Sequence, residues 1–257
     1  MPENHISTEL SCHYLLFVAT GTEKEELKKV AKESGFTFSR KKGRLGRYYD
    51  LGTIGISRVL AVRTQMGPFS YGGSASKAIY YMAETQAVGI ISVGMSFGTD
   101  RSSQKIGDVL VSKTLLPYDN RDIVTEDGKM KVYYHRVRSH KSDARLFRLL
   151  RKESEQGKWK GRVHLGALLT GGARIRCRDY RNELRGIESS EPIVGGEMEG
   201  VGLLSVSAPE SPSWIVAKGI CDFADEERDE IIKDTRSVAC RNSALFVLNA
   251  LKNAHNY

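Results

Sequence analysis

Short apolar runs alternate with amphipathic helical patterns along almost the whole chain. Residues 14–20 (YLLFVAT) are continuously apolar, which indicates a buried strand, and residues 23–34 place Leu27 and Val30 on one helical face among Glu and Lys. The same reading predicts further strands at 47–51, 54–66, 87–93, 108–116, 164–169 and 214–221, and helices at 74–86, 143–152, from Glu197 to about 206, and 230–252. Continuous apolar strands separated by helices are typical of a parallel sheet covered on both faces.

This pattern predicts a single α/β domain, a three-layer sandwich with a mixed, mainly parallel central sheet flanked by helices. The chain has 257 residues, 40% of them hydrophobic, which is enough for one core of this kind. We place the domain at residues 14–257, after a polar N-terminal extension at 1–13. The segment 117–133, where PYDNRD and EDGK cluster turn residues and charges, is expected to be a mobile loop.

Composition narrows the cellular setting. There is no apolar run of 18 or more residues, and the first dozen residues lack the basic-then-apolar order of a signal peptide, so a soluble cytoplasmic protein without membrane contact is expected. Cysteines 12, 177, 221 and 240 form no CxxC pair, so neither a disulfide framework nor a structural metal is expected.

The net charge is +8, and basic residues concentrate at 40–47 and 136–141. Such runs are usually solvated faces. The alternative is that one of these clusters, or Arg101 with Lys105, binds a phosphate chain.

Two acidic segments carry the strongest indication of a functional site. Residues 195–200 read GGEMEG, and residues 219–225 read GICDFAD, so that an apolar strand ends on Asp222. Carboxylates placed where strands end and helices begin are costly to bury, and a fold that puts them there usually uses them.

On these two segments the chain resembles the nucleoside phosphorylase and nucleosidase superfamily. The likeness extends from Tyr14 to the C-terminal helix. It is greatest to the hydrolytic branch, the methylthioadenosine/S-adenosylhomocysteine nucleosidases and related nucleosidase domains of immune effector proteins. The resemblance implies a proton donor at a departing purine, groups that grip the ribose hydroxyls, and a nucleophile below the sugar.

Asp222 is the predicted proton donor, because it ends a strand at the edge where open α/β sheets place ligands. Its neighbour Cys221, in an apolar setting, is expected to help raise the pKa of the carboxyl. The alternative is that Asp222 caps the next helix. Asp225 competes for the same role and is better explained as a cap.

The predicted ribose site consists of Glu199, which can accept hydrogen bonds from two vicinal hydroxyls, and Met198, whose thioether packs against the sugar. The resemblance adds Glu197 as a second polar contact. The alternative is that these carboxylates only complement the dipole of the helix that follows, which explains Glu197 better than Glu199.

The resemblance assigns the activation of water to a Glu just after the first strand. Glu23 matches that position, with Glu25 and Glu26 as alternatives, and a solvated carboxylate in the first helical turn is the other explanation. The resemblance also makes 92–98 a loop whose backbone N–H groups face the nucleophile; its residues Gly94, Met95, Ser96 and Phe97 are predicted to contact substrate. The Arg that holds phosphate in phosphorolytic enzymes is replaced here by Ser92, which favours hydrolysis over phosphorolysis.

The loop 170–175 is predicted to hold the base, with Arg174 and Ile175 as contacts. Arg174 stands where the family has an aromatic ring; it can stack on a purine or point toward a phosphate. Gly67, Gly72 and Gly73 are interpreted as turn residues that let the backbone approach the sugar.

The function predicted from these residues is purine N-ribosyl hydrolysis. The substrate is an adenine nucleoside or nucleotide (methylthioadenosine-like, AMP or ATP), without a cofactor or metal, and the protein could act as a nucleotide-depleting antiviral defence effector. The alternatives are a purine nucleoside phosphorylase and a catalytically silent nucleotide sensor. The resemblance also implies a homodimer or higher homo-oligomer. A nucleic-acid partner is disfavoured, since no basic motif interleaved with aromatic residues is present.

Overall fold

The computed structural model describes residues 10–44, 46–156, 159–207 and 213–254. In chain order the elements are β1 (Tyr14–Val18), α1 (Gly21–Glu33), β2 (Ser39–Lys42), β3 (Arg47–Ile54), β4 (Ser57–Arg63), α2 (Ser74–Thr85), β5 (Gly89–Gly98), β6 (Val109–Pro117), β7 (Asp122–Glu126), β8 (Lys129–Tyr133), β9 (His140–Lys141), α3 (Ala144–Gln156), β10 (Val163–Thr170), α4 (Arg178–Arg185), β11 (Ile193–Glu197), α5 (Gly200–Leu203), a 3₁₀ turn (Leu204–Val206), β12 (Trp214–Asp222) and α6 (Arg228–Lys252).

The central sheet runs in the order β11-β10-β6-β12-β5-β1-β4-β3-β2, with β9 added to β6. The pairs β1–β4, β1–β5, β5–β12, β6–β10 and β10–β11 are parallel, while β12 meets β6 antiparallel and β2–β3–β4 form an antiparallel edge. β11 also pairs antiparallel with the end of β5, which closes five strands into a barrel. The predicted mixed, mainly parallel sheet is confirmed.

Helices cover both faces of the sheet, as the alternation predicts. On β1, Leu16 and Val18 pack into one core with α1, α3 and α6, while Leu15 and Phe17 point into the other core with α2 and α5. This is the period-two alternation of a strand buried on both sides. No helix in the described ranges is long and apolar enough to cross a membrane.

The start of the predicted domain at residue 14 stays a prediction. Leu10 and Cys12 are buried against the second core, and the Cys12 N–H donates to the Thr85 carbonyl, so ordered packing begins a few residues earlier. The rest of the predicted extension, residues 1–9, lies outside the described residues.

β5 is longer than predicted, and the difference matters for the site. Residues 92–98, expected to form a loop, continue the strand and pair with β12 and then with β11. Gly94 allows the strand to continue along this path, because its φ of +148° is a conformation that residues with a side chain rarely adopt. The prediction of a loop there was wrong because glycine was taken as the end of the strand.

The segment 117–133 was also predicted wrongly as a loop. It contains the hairpin β7–β8, whose register joins Asp122 to Tyr133 and Glu126 to Lys129. The turn residues Asp127 and Gly128 both have positive φ, +52° and +72°, as a two-residue type I′ turn requires. The Asp-Gly pair between two short segments of alternating polar and apolar residues was the sequence signal for this hairpin. The strands β2, β9 and β11 and the helix α4 were likewise not predicted.

Candidate active site

A cavity of about 580 Å³ opens at the carboxyl ends of β1, β5, β11 and β12. Crevices at this edge are where open α/β sheets bind ligands. The predicted catalytic and binding residues that line it are Glu23, Met95, Ser96, Phe97, Arg174, Ile175, Glu197, Met198, Glu199 and Asp222. Segments from five separate parts of the chain therefore meet in one place. Gly94 does not line the cavity.

A bulge in β12 places Asp222 at the cavity. The register of β12 with β5 shifts between Ile220 and Asp222, so that Cys221 is the extra residue. Consecutive strand residues normally face opposite sides of a sheet, but here Cys221 and Asp222 both line the cavity. The bulge is the local reason that a carboxyl at the end of a buried strand turns toward a ligand.

The surroundings of Asp222 favour its protonated form. The side chain is 3% exposed, and burial raises the pKa of its carboxyl. The Ala224 N–H, 2.8 Å from Oδ1, the Cys221 thiol, 3.1 Å from Oδ2, and Arg228, 3.4 Å from Oδ2, act in the opposite direction but do not cancel the effect of burial. The expectation that Cys221 raises this pKa was therefore wrong, because the thiol donates a hydrogen bond to the charged form.

Asp225 has a different role from the predicted helix cap. Its Oδ2 accepts hydrogen bonds from Arg101, at 2.8 Å and 3.1 Å, and lies 3.6 Å from Arg181. Only its main-chain carbonyl bonds to the start of α6, through the Arg228 N–H. Asp225 is thus a buried ion-pair partner beside the site. Arg101, which also pairs with Glu227, is engaged by these carboxylates, and neither Arg101 nor Lys105 lines the cavity.

A buried lysine links the two carboxylates of GGEMEG. Lys218 on β12 is 1% exposed, and its Nζ donates to Glu197 Oε2 at 2.9 Å and to Glu199 Oε2. Glu197 also accepts the N–H groups of Glu199 and Gly200, at 2.9 Å and 2.8 Å. Its oxygens are therefore largely occupied, whereas Glu199 accepts only one further hydrogen bond, from the Gly67 N–H at 3.1 Å. Glu199 is the carboxylate with free acceptor capacity.

The two carboxyls of this cluster differ in pKa. Burial would raise the pKa of Glu197, but the Lys218 ammonium and the hydrogen bonds it accepts hold that pKa below its usual range. Burial raises the pKa of Glu199, and the nearby charges of Glu197 and Glu23 act in the same direction against Lys218. Burial would lower the pKa of Lys218, but the two glutamates raise it, so the lysine is charged.

The 67–73 turn approaches this cluster. Gly67 has a φ of +84° and its N–H reaches Glu199, and Ser74, which follows the turn, donates its hydroxyl to the Glu199 carbonyl at 2.6 Å. The backbone of this segment thus fixes both ends of Glu199.

Glu23 is held at the cavity by backbone groups. Its Oε2 accepts the N–H groups of Ala19 and Thr20, at 2.6 Å and 2.7 Å, and its Oε1 accepts the Met95 N–H at 3.0 Å. Thr20 and Glu23 also form a capping box at the start of α1. A Cβ at residue 94 would overlap the Glu23 carboxylate, so glycine is required there.

The alternatives to Glu23 lie elsewhere. Glu25 pairs with Lys24 and Lys28 on the surface, and Glu26 pairs with Lys29; neither lines the cavity. Ser92, at the position of the missing Arg, is buried within β5 and is not part of the cavity wall either.

Two groups of residues in or beside the cavity were not predicted from the sequence. The first is Lys218, which was taken as an interior residue of an apolar strand; a lysine inside such a run was itself a signal, because buried lysines are almost always paired. The second is the start of α6, which contributes Arg228, Asp229, Ile232, Lys233 and Arg236. The sequence pattern predicted a helix from about residue 230 and gave these residues no role in the site.

The arrangement places a buried acid and two carboxylates with free lone pairs in one cavity. No cluster of His, Cys, Asp and Glu in the described part of the chain has the arrangement of a metal site. Such a site is suited to protonating a leaving group while stabilising positive charge on the group left behind.

Known proteins share both the sequence pattern and the fold. A sequence profile of the phosphorylase superfamily matches residues 14–252. A "Death domain-containing ATP nucleosidase" of Amphimedon queenslandica is 26% identical over 181 residues, which are 63% of this chain and 33% of that protein. The chain thus spans about a third of the length of that relative.

Solved structures align over nearly the whole chain. The 5′-methylthioadenosine/S-adenosylhomocysteine nucleosidase of Neisseria meningitidis, in complex with methylthio-immucillin-A, superposes with a TM-score of 0.75 at 17% identity, covering 94% of this chain and 99% of its own. The futalosine hydrolase of Helicobacter pylori superposes with a TM-score of 0.77 at 15% identity, covering 96% and 100%. At this level of identity the structures establish a shared fold.

Proposed function

We propose, because the chain belongs to the phosphorylase superfamily and carries the cavity described above, that it is a purine N-ribosyl hydrolase acting on an adenine nucleoside or nucleotide. The observation that carries the proposal is the placement of Asp222, whose pKa burial raises, in one cavity with Glu23 and Glu199. The names of the similar proteins, an ATP nucleosidase and methylthioadenosine nucleosidases, support adenine as the base.

In the proposed reaction the bond between the anomeric carbon and the purine nitrogen breaks, and its electron pair leaves with the base. The Asp222 carboxyl gives its proton to a ring nitrogen of the departing base, which neutralises the developing negative charge. Glu199 accepts hydrogen bonds from the ribose hydroxyls, and its charge stabilises the positive sugar. Met198 packs beside the ribose.

Glu23 is assigned to the nucleophile. Three of its four lone-pair positions accept backbone N–H groups, which leaves one for a water molecule. The water oxygen bonds to the anomeric carbon, and Glu23 takes the proton that the water releases. Glu23 then releases this proton to solvent and solvent returns a proton to Asp222, so the enzyme is restored and the products are free base and free sugar.

Water is preferred to phosphate for an electrostatic reason. The Met95 N–H, which could otherwise face a phosphate oxygen, is occupied by the Glu23 carboxylate. A phosphate placed there would lie beside a negative charge, and the arginine that would offset this charge is replaced by the buried Ser92. Both features favour hydrolysis.

The test is incubation of the protein with adenosine, methylthioadenosine, AMP, ATP and NAD, with and without inorganic phosphate, followed by chromatography of base and sugar. We expect free adenine and free sugar in phosphate-free buffer, at a rate that phosphate hardly changes. Strict dependence on phosphate with accumulation of a sugar 1-phosphate would identify a phosphorylase. Binding without any release of base would identify a nucleotide sensor.

We also propose that the protein forms a homodimer through the rim of the cavity. Met66 lines the cavity, and beside it Phe69 and Tyr71 are 76% and 96% exposed, with Tyr80 on the outer face of α2 also exposed. Exposed aromatic side chains next to a site mark an interaction surface, and a second copy covering them would shield the cavity. Light scattering that gives a monomer of 28.6 kDa with full activity would contradict this.

A role in antiviral defence follows if the substrate is a nucleotide. Hydrolysis of ATP removes the base irreversibly, so a cytoplasmic enzyme of this kind would deplete the nucleotide pool. The relative from Amphimedon queenslandica, whose name combines a death domain with an ATP nucleosidase, supports this proposal. Measurement of adenine nucleotides in infected cells with the wild-type protein and with Asp222→Asn tests it, since only the active protein should lower them.

A further inference from the structure

One face of α6 forms a wall of the cavity. Asp229, Ile232, Lys233 and Arg236 all line it, at the i, i+3, i+4, i+7 spacing of a single helical face. The same face continues beneath the site, where Ser243 donates its hydroxyl to the Gly94 carbonyl at 2.8 Å. The helix is therefore anchored under the cavity and presents its first turns to the ligand.

The cations on this face are not neutralised by the protein. Arg228 is close to two carboxylates, with its Nε 3.4 Å from Asp222 and an Nη 3.2 Å from Asp229. In contrast, Arg236 donates a hydrogen bond from its Nε to the Ile232 carbonyl, at 3.2 Å. Within the described ranges, neither Arg236 nor Lys233 has a carboxylate partner within ion-pair distance. The cavity thus has two uncompensated positive charges.

These charges lie away from the proposed position of the base. Arg228 is beside Asp222, and Arg236 follows eight residues later, about 12 Å along the helix axis at 1.5 Å per residue. Beyond Arg236 the helix approaches the segment that holds Glu23, because Ser243 donates to the Gly94 carbonyl and the neighbouring Met95 N–H donates to Glu23. A nucleoside with its base at Asp222 and its ribose between Glu199 and Glu23 would direct its 5′ end toward this part of the wall.

We propose that Lys233 and Arg236 form a subsite for the 5′-phosphate groups of the substrate, so that the enzyme prefers adenine nucleotides to nucleosides or 5′-thio nucleosides. This inference rests on the proposed function, since it uses the position assigned to the base. An arginine and a lysine are the side chains best suited to phosphate oxygens, because their charged N–H groups donate hydrogen bonds to them. A 5′-alkylthio group, by comparison, would leave both cations unpaired beside an apolar substituent.

The test compares ATP, AMP and adenosine as substrates of the wild-type protein and of the double variant Lys233→Gln/Arg236→Gln. Each charge-assisted hydrogen bond that is lost costs about tenfold or more. We therefore expect the ratio of kcat/KM for ATP to that for adenosine to fall by about 100-fold or more in the variant. The ratio for AMP to adenosine should fall less, since AMP carries fewer phosphate groups.

The matched control is Lys129→Gln/Arg148→Gln. It removes the same two charges, and the Arg148 Nε makes the same kind of contact as that of Arg236, to the Ala144 carbonyl at 3.3 Å. Both control residues are exposed and outside the cavity. The control should leave the ratio of ATP to adenosine as in the wild type. If the two double variants change that ratio equally, the subsite is refuted and only the net charge matters.

A binding measurement separates failure of the subsite from failure of the proposed function. Calorimetric titration of ATP and adenosine into Asp222→Asn, with and without Lys233→Gln/Arg236→Gln, does not require turnover. If no substrate releases adenine but ATP affinity still falls with the loss of the two cations, the subsite is supported and the function is wrong. If adenine is released from adenosine and ATP equally well, and binding is unaffected by the substitutions, the function stands and the subsite is refuted.

Discussion

Replacement of Lys218 by methionine tests the buried charge cluster on which the ribose site depends. Methionine has a similar length and no charge, so Lys218→Met leaves Glu197 and Glu199 facing each other without the ammonium that both contact. The Glu197 and Glu199 side chains are 0% and 9% exposed, so little water can take the place of the lysine. Removing one partner of a buried ion pair typically costs about 3–5 kcal/mol.

The loss of unfolding free energy can also be calculated from the pKa of glutamate. Holding a carboxyl of ordinary pKa of about 4.3 in its neutral form at pH 7 costs about 2.7 pH units at 1.36 kcal/mol each, or about 3.7 kcal/mol. At pH 5 the same cost is about 1 kcal/mol. Both routes predict a loss of about 3–5 kcal/mol at pH 7, which corresponds to a fall in Tm of about 6–20 °C for a domain of this size.

The sign of the pH dependence follows from the unpaired carboxyls. In the variant, the pKa values of Glu197 and Glu199 are higher in the folded protein than in the unfolded protein. The stability that these carboxyls contribute is therefore present below the unfolded pKa and is lost as pH rises through the folded pKa. The difference in unfolding free energy between Lys218→Met and the wild type should therefore grow by about 2–3 kcal/mol from pH 5 to pH 7.

The assay is urea unfolding at pH 5, 6 and 7, with Lys113→Met as the control. Lys113 also lies on a strand and pairs with a glutamate, Glu191 at 2.5 Å, but the two side chains are 49% and 23% exposed. An exposed pair contributes at most about 1 kcal/mol. Equal and pH-independent losses in the two variants would refute the idea that Lys218 neutralises a buried cluster.

The remaining predictions concern the chemistry. Glu23→Gln should slow base release by about 10²–10⁴-fold, because an amide cannot take the proton of water, while urea unfolding should show a loss of no more than about 3 kcal/mol from its backbone hydrogen bonds; unchanged turnover at saturating substrate would exclude Glu23 as the base. Glu199→Gln should lower kcat by about 10²–10³-fold, since the charge acts on the transition state, and a change confined to KM would contradict this role. With adenosine as substrate, kcat/KM should fall as pH rises through the pKa of Asp222, which burial places above the usual aspartate value, because the acid must be protonated to act; a rate that instead rises with pH throughout would argue against an acid.

The fold and the acidic part of the site could be predicted because both depend on local patterns. Continuous apolar strands between amphipathic helices indicate a covered parallel sheet, and Asp222 and Glu197 end two of its strands. Glu23 follows β1, and both β1 and β12 pair parallel with β5, so the carboxyl ends of these strands meet at one edge of the sheet.

What could not be predicted depends on long-range pairing. The extension of β5 through Gly94 is stabilised by β11, whose residues lie about a hundred positions later in the chain. Glycine weakens a strand locally, so the local sequence does not predict this extension. The role of Lys218 depends on two carboxylates that reach it from another strand. The cations of α6 have the pattern of a solvated face, and only the closure of the cavity shows that Lys233 and Arg236 border a ligand site.

The most direct test of the central claim is the rate of adenine release by the wild type and by Asp222→Asn in phosphate-free buffer at saturating substrate. Circular dichroism and thermal unfolding confirm that the variant is folded. The proposed mechanism predicts free adenine from the wild type and a rate about 10²–10⁴-fold lower in the variant, because the amide has no proton to give to the leaving base. Release of adenine by folded Asp222→Asn at the rate of the wild type would contradict the assignment of the acid and, with it, the mechanism.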